Sequence, residues 1–186
     1  PGQSLARQNL VVDFNGDGKL DVFVADHGLG SHGGFKDSYF LSQPDGTLLE
    51  SSESHLSHPN IKLFDHGGAT GDIDGDGDMD VVLTSGFDGG TIHCYYNNGK
   101  GKMKMRKCAS IMAFAIELAD MDGDGDLDLV HHSDDRGSMF GTTWKGLTTG
   151  IRYNKGKGAF NGRSVKLPSG DEYFVHSPEL NVWDID

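Results

Sequence analysis

The chain has 186 residues, 28 of them glycine, and carries 28 Asp and Glu against 16 Lys and Arg for a formal net charge of -12. That length allows one domain with a real core rather than two large ones. The acidity gives no electrostatic reason to bind nucleic acid, and no apolar run approaches the roughly 20 residues that span a bilayer.

The acids are not spread evenly: fifteen of them fall in Asp13–Asp21, Asp72–Asp80, Asp120–Asp128 and Asp184–Asp186, leaving a slightly basic remainder. Two cysteines, Cys94 and Cys108, are too few for a disulfide scaffold. The start at Pro1, without Met or a signal-like stretch, is expected of a processed or truncated N-terminus.

Read in chain order, the first element is the loop Asp13-Phe-Asn-Gly-Asp-Gly-Lys-Leu-Asp21, followed by the short apolar run Val22–Ala25. A turn at Leu41-Ser-Gln-Pro-Asp-Gly-Thr-Leu48 then separates two strand-like runs. The loop recurs as Asp72-Ile-Asp-Gly-Asp-Gly-Asp-Met-Asp80 and Asp120-Met-Asp-Gly-Asp-Gly-Asp-Leu-Asp128, and Asp184-Ile-Asp186 opens a truncated fourth copy. Starts are spaced by 59, 48 and 64 residues. The hairpin motif recurs in the same phase, as Tyr96-Asn-Asn-Gly-Lys-Gly-Lys-Met103 and Tyr153-Asn-Lys-Gly-Lys-Gly-Ala-Phe160.

Two motifs repeating in step define a repeat architecture. Its period suits a four-stranded propeller blade: strand, acidic loop, strand, variable loop, strand, Gly-rich turn, strand. In the second blade the strands are predicted at His66–Gly71, Val81–Ser85, Thr91–Tyr96 and Lys102–Cys108. The fold class is therefore all-β. It comprises propeller blades of four antiparallel strands, three of them plus the first strand of a fourth, with blades near 5–60, 61–110, 111–172 and 173–186.

In each loop, oxygens at positions 1, 3 and 5, a backbone carbonyl at 7 and a carboxylate at 9 can converge on a hard cation. Calcium takes six to eight such ligands, and a glycine at position 6 permits the sharp turn. The predicted ligands are Asp13, Asn15, Asp17, Lys19 and Asp21; Asp72, Asp74, Asp76, Asp78 and Asp80; Asp120, Asp122, Asp124, Asp126 and Asp128. Asp184 and Asp186 begin the truncated fourth site. No His or Cys lies in a loop, which disfavours zinc and copper; magnesium prefers fewer protein ligands. An EF-hand needs a Glu at position 12, where Val24, Leu83 and His131 stand. The competing reading is an acidic turn held by Asx hydrogen bonds alone.

These loops resemble the FG-GAP/VCBS repeat family, whose blades occur in integrin-type propellers, secreted bacterial surface proteins and some lectins. The resemblance covers nearly all of the chain. It implies the propeller fold, calcium, and a secreted or cell-surface setting with a protein or carbohydrate partner. It is silent on activity, because such repeats host adhesion, sugar binding, scaffolding and some polysaccharide lyases. Family propellers close with about seven blades, so the rest of the chain or partner chains must supply the remainder.

Other features are weaker. His27, His32, His55, His58 and His66 are expected to emerge on the face opposite the acidic loops, as a metal or acid/base site or as plain surface histidines. Of His131 and His132, at least one should be a packed core residue. The insert Ser133–Gly146, with Asp134, Asp135, Arg136, Phe140 and Trp144, offers either a sugar platform or an aromatic lid. Met103, Met105, Ile111, Met112 and Phe114 should fill the space between blades. Cys94 and Cys108 lie on the two arms of one hairpin, slightly off register, so the sequence leaves their bonding open. Every repeated residue is accounted for by fold or metal, so the expected function is a non-catalytic binding, adhesion or structural module. The alternative is a lyase-like enzyme or lectin using the opposite face.

Overall fold

The computed structural model describes residues 6–28, 35–85, 90–132, 149–167 and 182. The first blade comprises β1 (Ala6–Val12), β2 (Asp21–Asp26), β3 (Ser38–Ser42) and β4 (Leu48–Glu50), followed by one helical turn, α1 (Ser52–His55). The second comprises β5 (Asp65–Gly71), β6 (Asp80–Ser85), β7 (Thr91–Tyr96) and β8 (Lys104–Ala109). The third comprises β9 (Ala115–Ala119), β10 (Asp128–His132), β11 (Gly150–Arg152) and β12 (Ser164–Lys166). Each set forms a four-stranded sheet of neighbouring antiparallel strands. The architecture is that of β-propeller blades, as the repeat predicts; the predicted fourth-blade strand falls outside the described residues.

The first strands β1, β5 and β9 lie side by side and link the three sheets. Such close approach restricts side chains. A Cβ at Gly67 of β5 would come within 3.0 Å of the Phe114 carbonyl and 3.1 Å of Ala115 Cα, so the strand's sequence, Asp-His-Gly-Gly-Ala-Thr-Gly, is the thin one the inner position needs. Between β1 and β5, the Gly68 N–H donates to Gln8 Oε1 at 2.9 Å.

The core lies between blades rather than within any one of them. Leu10, Phe14, Phe23, Tyr39 and Leu41 pack against Val81, Leu83, Tyr95 and Met103. Ala69, Ile73, Val82, Ile92 and the two cysteines pack against Ile116, Leu129 and Phe160. Strand β6 therefore turns Val81 and Leu83 to the first blade and Val82 to the third. All six of its residues are buried, which is why Val81, Val82 and Leu83 run consecutively apolar at its centre rather than alternating with polar residues. Met103, Ile111, Met112 and Phe114 are buried and Met105 is partly so, in the interblade space expected of them.

The single turn α1 was not legible in the sequence. It forms because Ser51 and Ser52 dock on β3: the Ser51 N–H donates to the Tyr39 carbonyl at 2.7 Å, and the Tyr39 N–H donates to Ser52 Oγ at 2.8 Å. The turn delivers Leu56 into the core and lays His55–Ser57 along Met103, with the Met103 N–H bonded to the His55 carbonyl at 2.8 Å and the Ser57 N–H to the Met103 carbonyl at 2.9 Å.

Cys94 and Cys108 form a disulfide with Cα atoms 5.8 Å apart, inside the normal span. The register difficulty is resolved by a bulge. Cys94 lies opposite Arg106, while Cys108 is the extra residue between the pairs Ile92–Ala109 and His93–Lys107. Closing this short loop contributes about 3 kcal/mol by the chain-entropy account. Cys94→Ala/Cys108→Ala is expected to lower the melting temperature by about 6–12 °C. Reductant should do the same to the wild type and nothing further to the variant in a thermal melt.

Candidate metal centres at the interblade loops

The first aspartate of each acidic loop folds the loop around itself. Asp13 accepts the N–H groups of Gly16 at 2.8 Å, Asp17 at 3.2 Å and Gly18 at 2.7 Å. Asp72 takes Gly75, Asp76 and Gly77 at 2.8, 3.1 and 2.9 Å. Asp120 takes Gly123, Asp124 and Gly125 at 2.8, 3.2 and 3.0 Å. Position 5 adds an Asx bond to the N–H of position 7 in each loop, at 2.9 to 3.0 Å. These are Asx-type hydrogen bonds, and they leave carboxylate lone pairs that a cation could use.

The ninth aspartate has a second task. Asp21, Asp80 and Asp128 are at most 1 % exposed. One oxygen of each accepts the N–H of loop position 2 (Phe14, Ile73 and Met121, 3.0–3.1 Å). The other accepts the N–H that opens the blade's hairpin turn (Ser42, Asn97 and Asn154), at 2.8 Å in each blade. The buried carboxylate thereby fastens the acidic loop to the hairpin.

The hairpin asparagines carry the connection across to the previous blade, a role the sequence reading missed. Asn97 Nδ2 donates to the Phe14 carbonyl of the first loop at 2.7 Å and to the Met79 carbonyl of its own loop at 3.0 Å. Asn154 Nδ2 likewise joins the Ile73 and Leu127 carbonyls, at 2.7 and 3.1 Å. The available signal was the Tyr-Asn pair shared by Tyr96-Asn97 and Tyr153-Asn154. In the first blade Ser42 takes this place, and its hydroxyl bonds its own loop's Leu20 carbonyl.

The same bolt fixes which loop residues face which neighbour. Position 2 packs toward the next blade: Phe14 and Ile73 are 1 % exposed, whereas Met121, the third copy, is 38 % exposed. Position 8 packs toward the preceding blade. Met79 sits against the core shared with the first blade, and Leu127 Cδ1 lies 2.5 Å from where a Gly71 Cβ would stand. Leu20, the first copy, is 62 % exposed. Position 7 lies over the hairpin: a Cβ at Gly99 (φ +69°) or Gly156 (φ +70°) would meet Asp78 at 2.6 Å or Asp126 at 3.0 Å, so both turns require glycine.

Two of the loops bring carboxylates together. Asp72, Asp74 and Asp80 offer oxygens within 4.8 Å of one another, and so do Asp120, Asp122 and Asp124. Asp74 Oδ1 is buried with no hydrogen-bond partner. Without a cation these acids resist ionisation. Burial, and then the charges of Asp76 and Asp72, raise Asp74; burial pushes Asp80 up to about 7, with Asp74 and Asp76 adding to the effect. Asp21, Asp78, Asp122 and Asp126 are raised in the same way, by desolvation first and by neighbouring carboxylates next. An all-oxygen cluster with an orphaned carboxylate oxygen and mutually repelling charges fits a hard divalent cation. The first loop is poorer, having Asn15 at position 3 and an ammonium, Lys19 Nζ, 3.6 Å from Asp17 Oδ2.

The remaining candidates scatter. His27 and His66 meet, ring centroids 4.5 Å apart, between Phe64 and Phe114. His55 instead meets Tyr39 edge-on with ring centroids 6.3 Å apart, and His58 bonds Ser57 Oγ. The connector does not stay on the far face, because Leu56 draws it to the hairpin turn. His131 and His132 are both buried, and desolvation lowers His131 to about 4. His32, the insert Ser133–Gly146 and Asp184 and Asp186 lie outside the described residues.

Blades bolted together through acidic loops define a β-propeller-type repeat protein. A family model for FG-GAP-like repeats matches residues 13–83 and again 72–131; the chain belongs to the FG-GAP-like repeat family. Repeats of this family point to a propeller-type binding or adhesion module. No curated protein matches the chain. Among the described residues, no helix is long and apolar enough to cross a membrane.

Asn97→Ala should destabilise the fold by about 1–3 kcal/mol, since it strands the Phe14 and Met79 carbonyls, and denaturant unfolding would measure it. Proton linkage supplies a further prediction. A carboxyl whose folded pKa lies above its unfolded value destabilises the fold when ionised and ceases to do so as pH falls. In EDTA the protein should therefore melt higher near pH 5 than near pH 8, as Asp80 (about 7) and the buried Asp37 (raised to about 6 by desolvation) take up protons.

Proposed function

We propose that the chain is a calcium-binding, non-catalytic module of an extracellular or cell-surface propeller. Its loops are rigidified by calcium so that the connectors present a binding surface to a protein or carbohydrate. The observation that carries this reading is the paired carboxylate clusters, Asp72/Asp74/Asp80 and Asp120/Asp122/Asp124, each joined through its ninth aspartate to the turn that clamps the preceding blade. Calcium would be held by positions 1, 3, 5 and 9, with the backbone carbonyl of position 7, and would supply charge neutralisation rather than chemistry.

The oxidised Cys94–Cys108 pair supports an oxidising, extracellular compartment, where millimolar calcium also saturates modest sites. The three blades form one propeller region, with boundaries near residues 60, 110 and 172. Exposed Leu20 and Met121 are the faces on which further blades, from the rest of the chain or from partner chains, would seat.

Calorimetric titration of the metal-free protein should show two tighter sites and a weaker first loop. Asp74→Asn should remove one tight site, and calcium should raise the melting temperature by several degrees, as the linkage relation requires for a ligand of the folded state. No heat of calcium binding and an EDTA-insensitive melt would refute the proposal. Because protons and calcium compete for the same oxygens, the calcium-dependent part of the stability should shrink on acidification, opposite to the trend in EDTA.

A further inference from the structure

In an acidic chain, one strand is densely cationic. Lys100, Lys102, Lys104, Arg106 and Lys107 are all exposed on β8 and the turn before it. Among the described residues none of the five is in an ion pair; the pairs found are Lys19–Asp17 and Lys36–Glu53. Beside the strand lies a cleft of about 490 Å³ between the α1 connector and the hairpin. Lys102, Lys104 and His55 line it, together with Ser57, Asn98 and Tyr96. The guanidinium of Arg106 lies 5.6 Å from the centre of the Tyr96 ring. The walls are fixed, because His55 and Ser57 pair with the Met103 backbone and Ser57 Oγ accepts the Met105 N–H at 2.9 Å.

From this arrangement we infer that the cleft and the β8 edge bind an anionic polysaccharide, one acid group per Lys or Arg and one sugar ring in the cleft. The volume is within the range of small-ligand sites. On β8 itself Lys104 and Arg106, two residues apart on the strand, stand about 6.8 Å apart along it. That spacing suits a chain with about one carboxylate or sulfate per sugar, and it is far sparser than the roughly 1.7 Å per charge of a nucleic-acid duplex. The flanking acids disfavour a duplex further, since Asp78 stands against Gly99 at the tip of the same hairpin.

Lysines on an edge strand also prevent edge-to-edge pairing, but that need alone does not account for five. The edge strand of the first blade, β4, is exposed at Leu48, Leu49 and Glu50 and has no cation. This inference deepens the binding-module reading by naming the ligand class, and its site is separate from the calcium loops.

The test measures binding of the calcium-loaded chain to immobilised polygalacturonate and chondroitin sulfate, with dextran, duplex DNA and anionic vesicles alongside. Polygalacturonate presents carboxylates and chondroitin sulfate adds sulfates, so the two arms separate the acid types. Salt-sensitive binding to at least one of them, and not to dextran, is expected. Lys102→Gln/Lys104→Gln should weaken it about tenfold or more, Lys102→Arg/Lys104→Arg should restore it, and Lys166→Gln on β12 should leave it unchanged. All variants are checked for the wild-type melt and calcium titration. Failure to bind either polysaccharide, indifference to the Gln pair, or equal binding to DNA or vesicles overturns the inference. A normal calcium titration in the same samples would leave the metal reading standing, whereas its absence would refute that reading on its own.

Discussion

The structure depends on a carboxylate that is buried at a junction. The ninth aspartate of each loop is shut away from solvent, and its two oxygens hold the N–H groups of two segments far apart in sequence. An ionised group at that depth is costly unless hydrogen bonds and a nearby positive charge offset the loss of water. The two N–H donors provide part of that compensation. With burial pushing its pKa up to about 7, Asp80 resists ionisation despite them, and that deficit is what a divalent cation in the same loop would offset.

From that junction the radial order of the fold follows. The aspartate fixes the loop against its hairpin, the first residue of the hairpin is an asparagine, and its side-chain amide reaches the loop of the preceding blade. Loop position 2 is thereby buried against one neighbour and position 8 against the other. A metal site in such a loop stabilises more than its own turn, because its geometry is transmitted through one side chain to the adjoining sheet. In the first blade Ser42 stands in the asparagine's place and keeps the loop-to-hairpin link.

Charge is partitioned accordingly. Negative charge is concentrated at the loops, where it is structural, and positive charge is concentrated on the outer strand of the second blade, where no partner in the described residues neutralises it. A propeller blade separates these regions naturally: its inner strand must be thin, as the glycine-rich β5 is, while its outer strand meets solvent and can carry whatever recognition demands.

Much of this was legible from residue order alone. The recurring aspartates and glycines, the in-phase hairpins and the apolar centre of β6 specify blades, acidic loops and strand limits, because each is a local rule of spacing and turn chemistry. What the sequence left open was decided by contacts between distant segments. The cysteines look misaligned until a bulge in β8 turns Cys108 toward Cys94. The histidines look like one group until burial of Leu56 pulls His55 and His58 away from His27 and His66. The asparagine clamp needs two blades in place before its amide has anything to join. Periodicity reports which face a residue occupies within its own strand, but only the packed stack determines what stands opposite it.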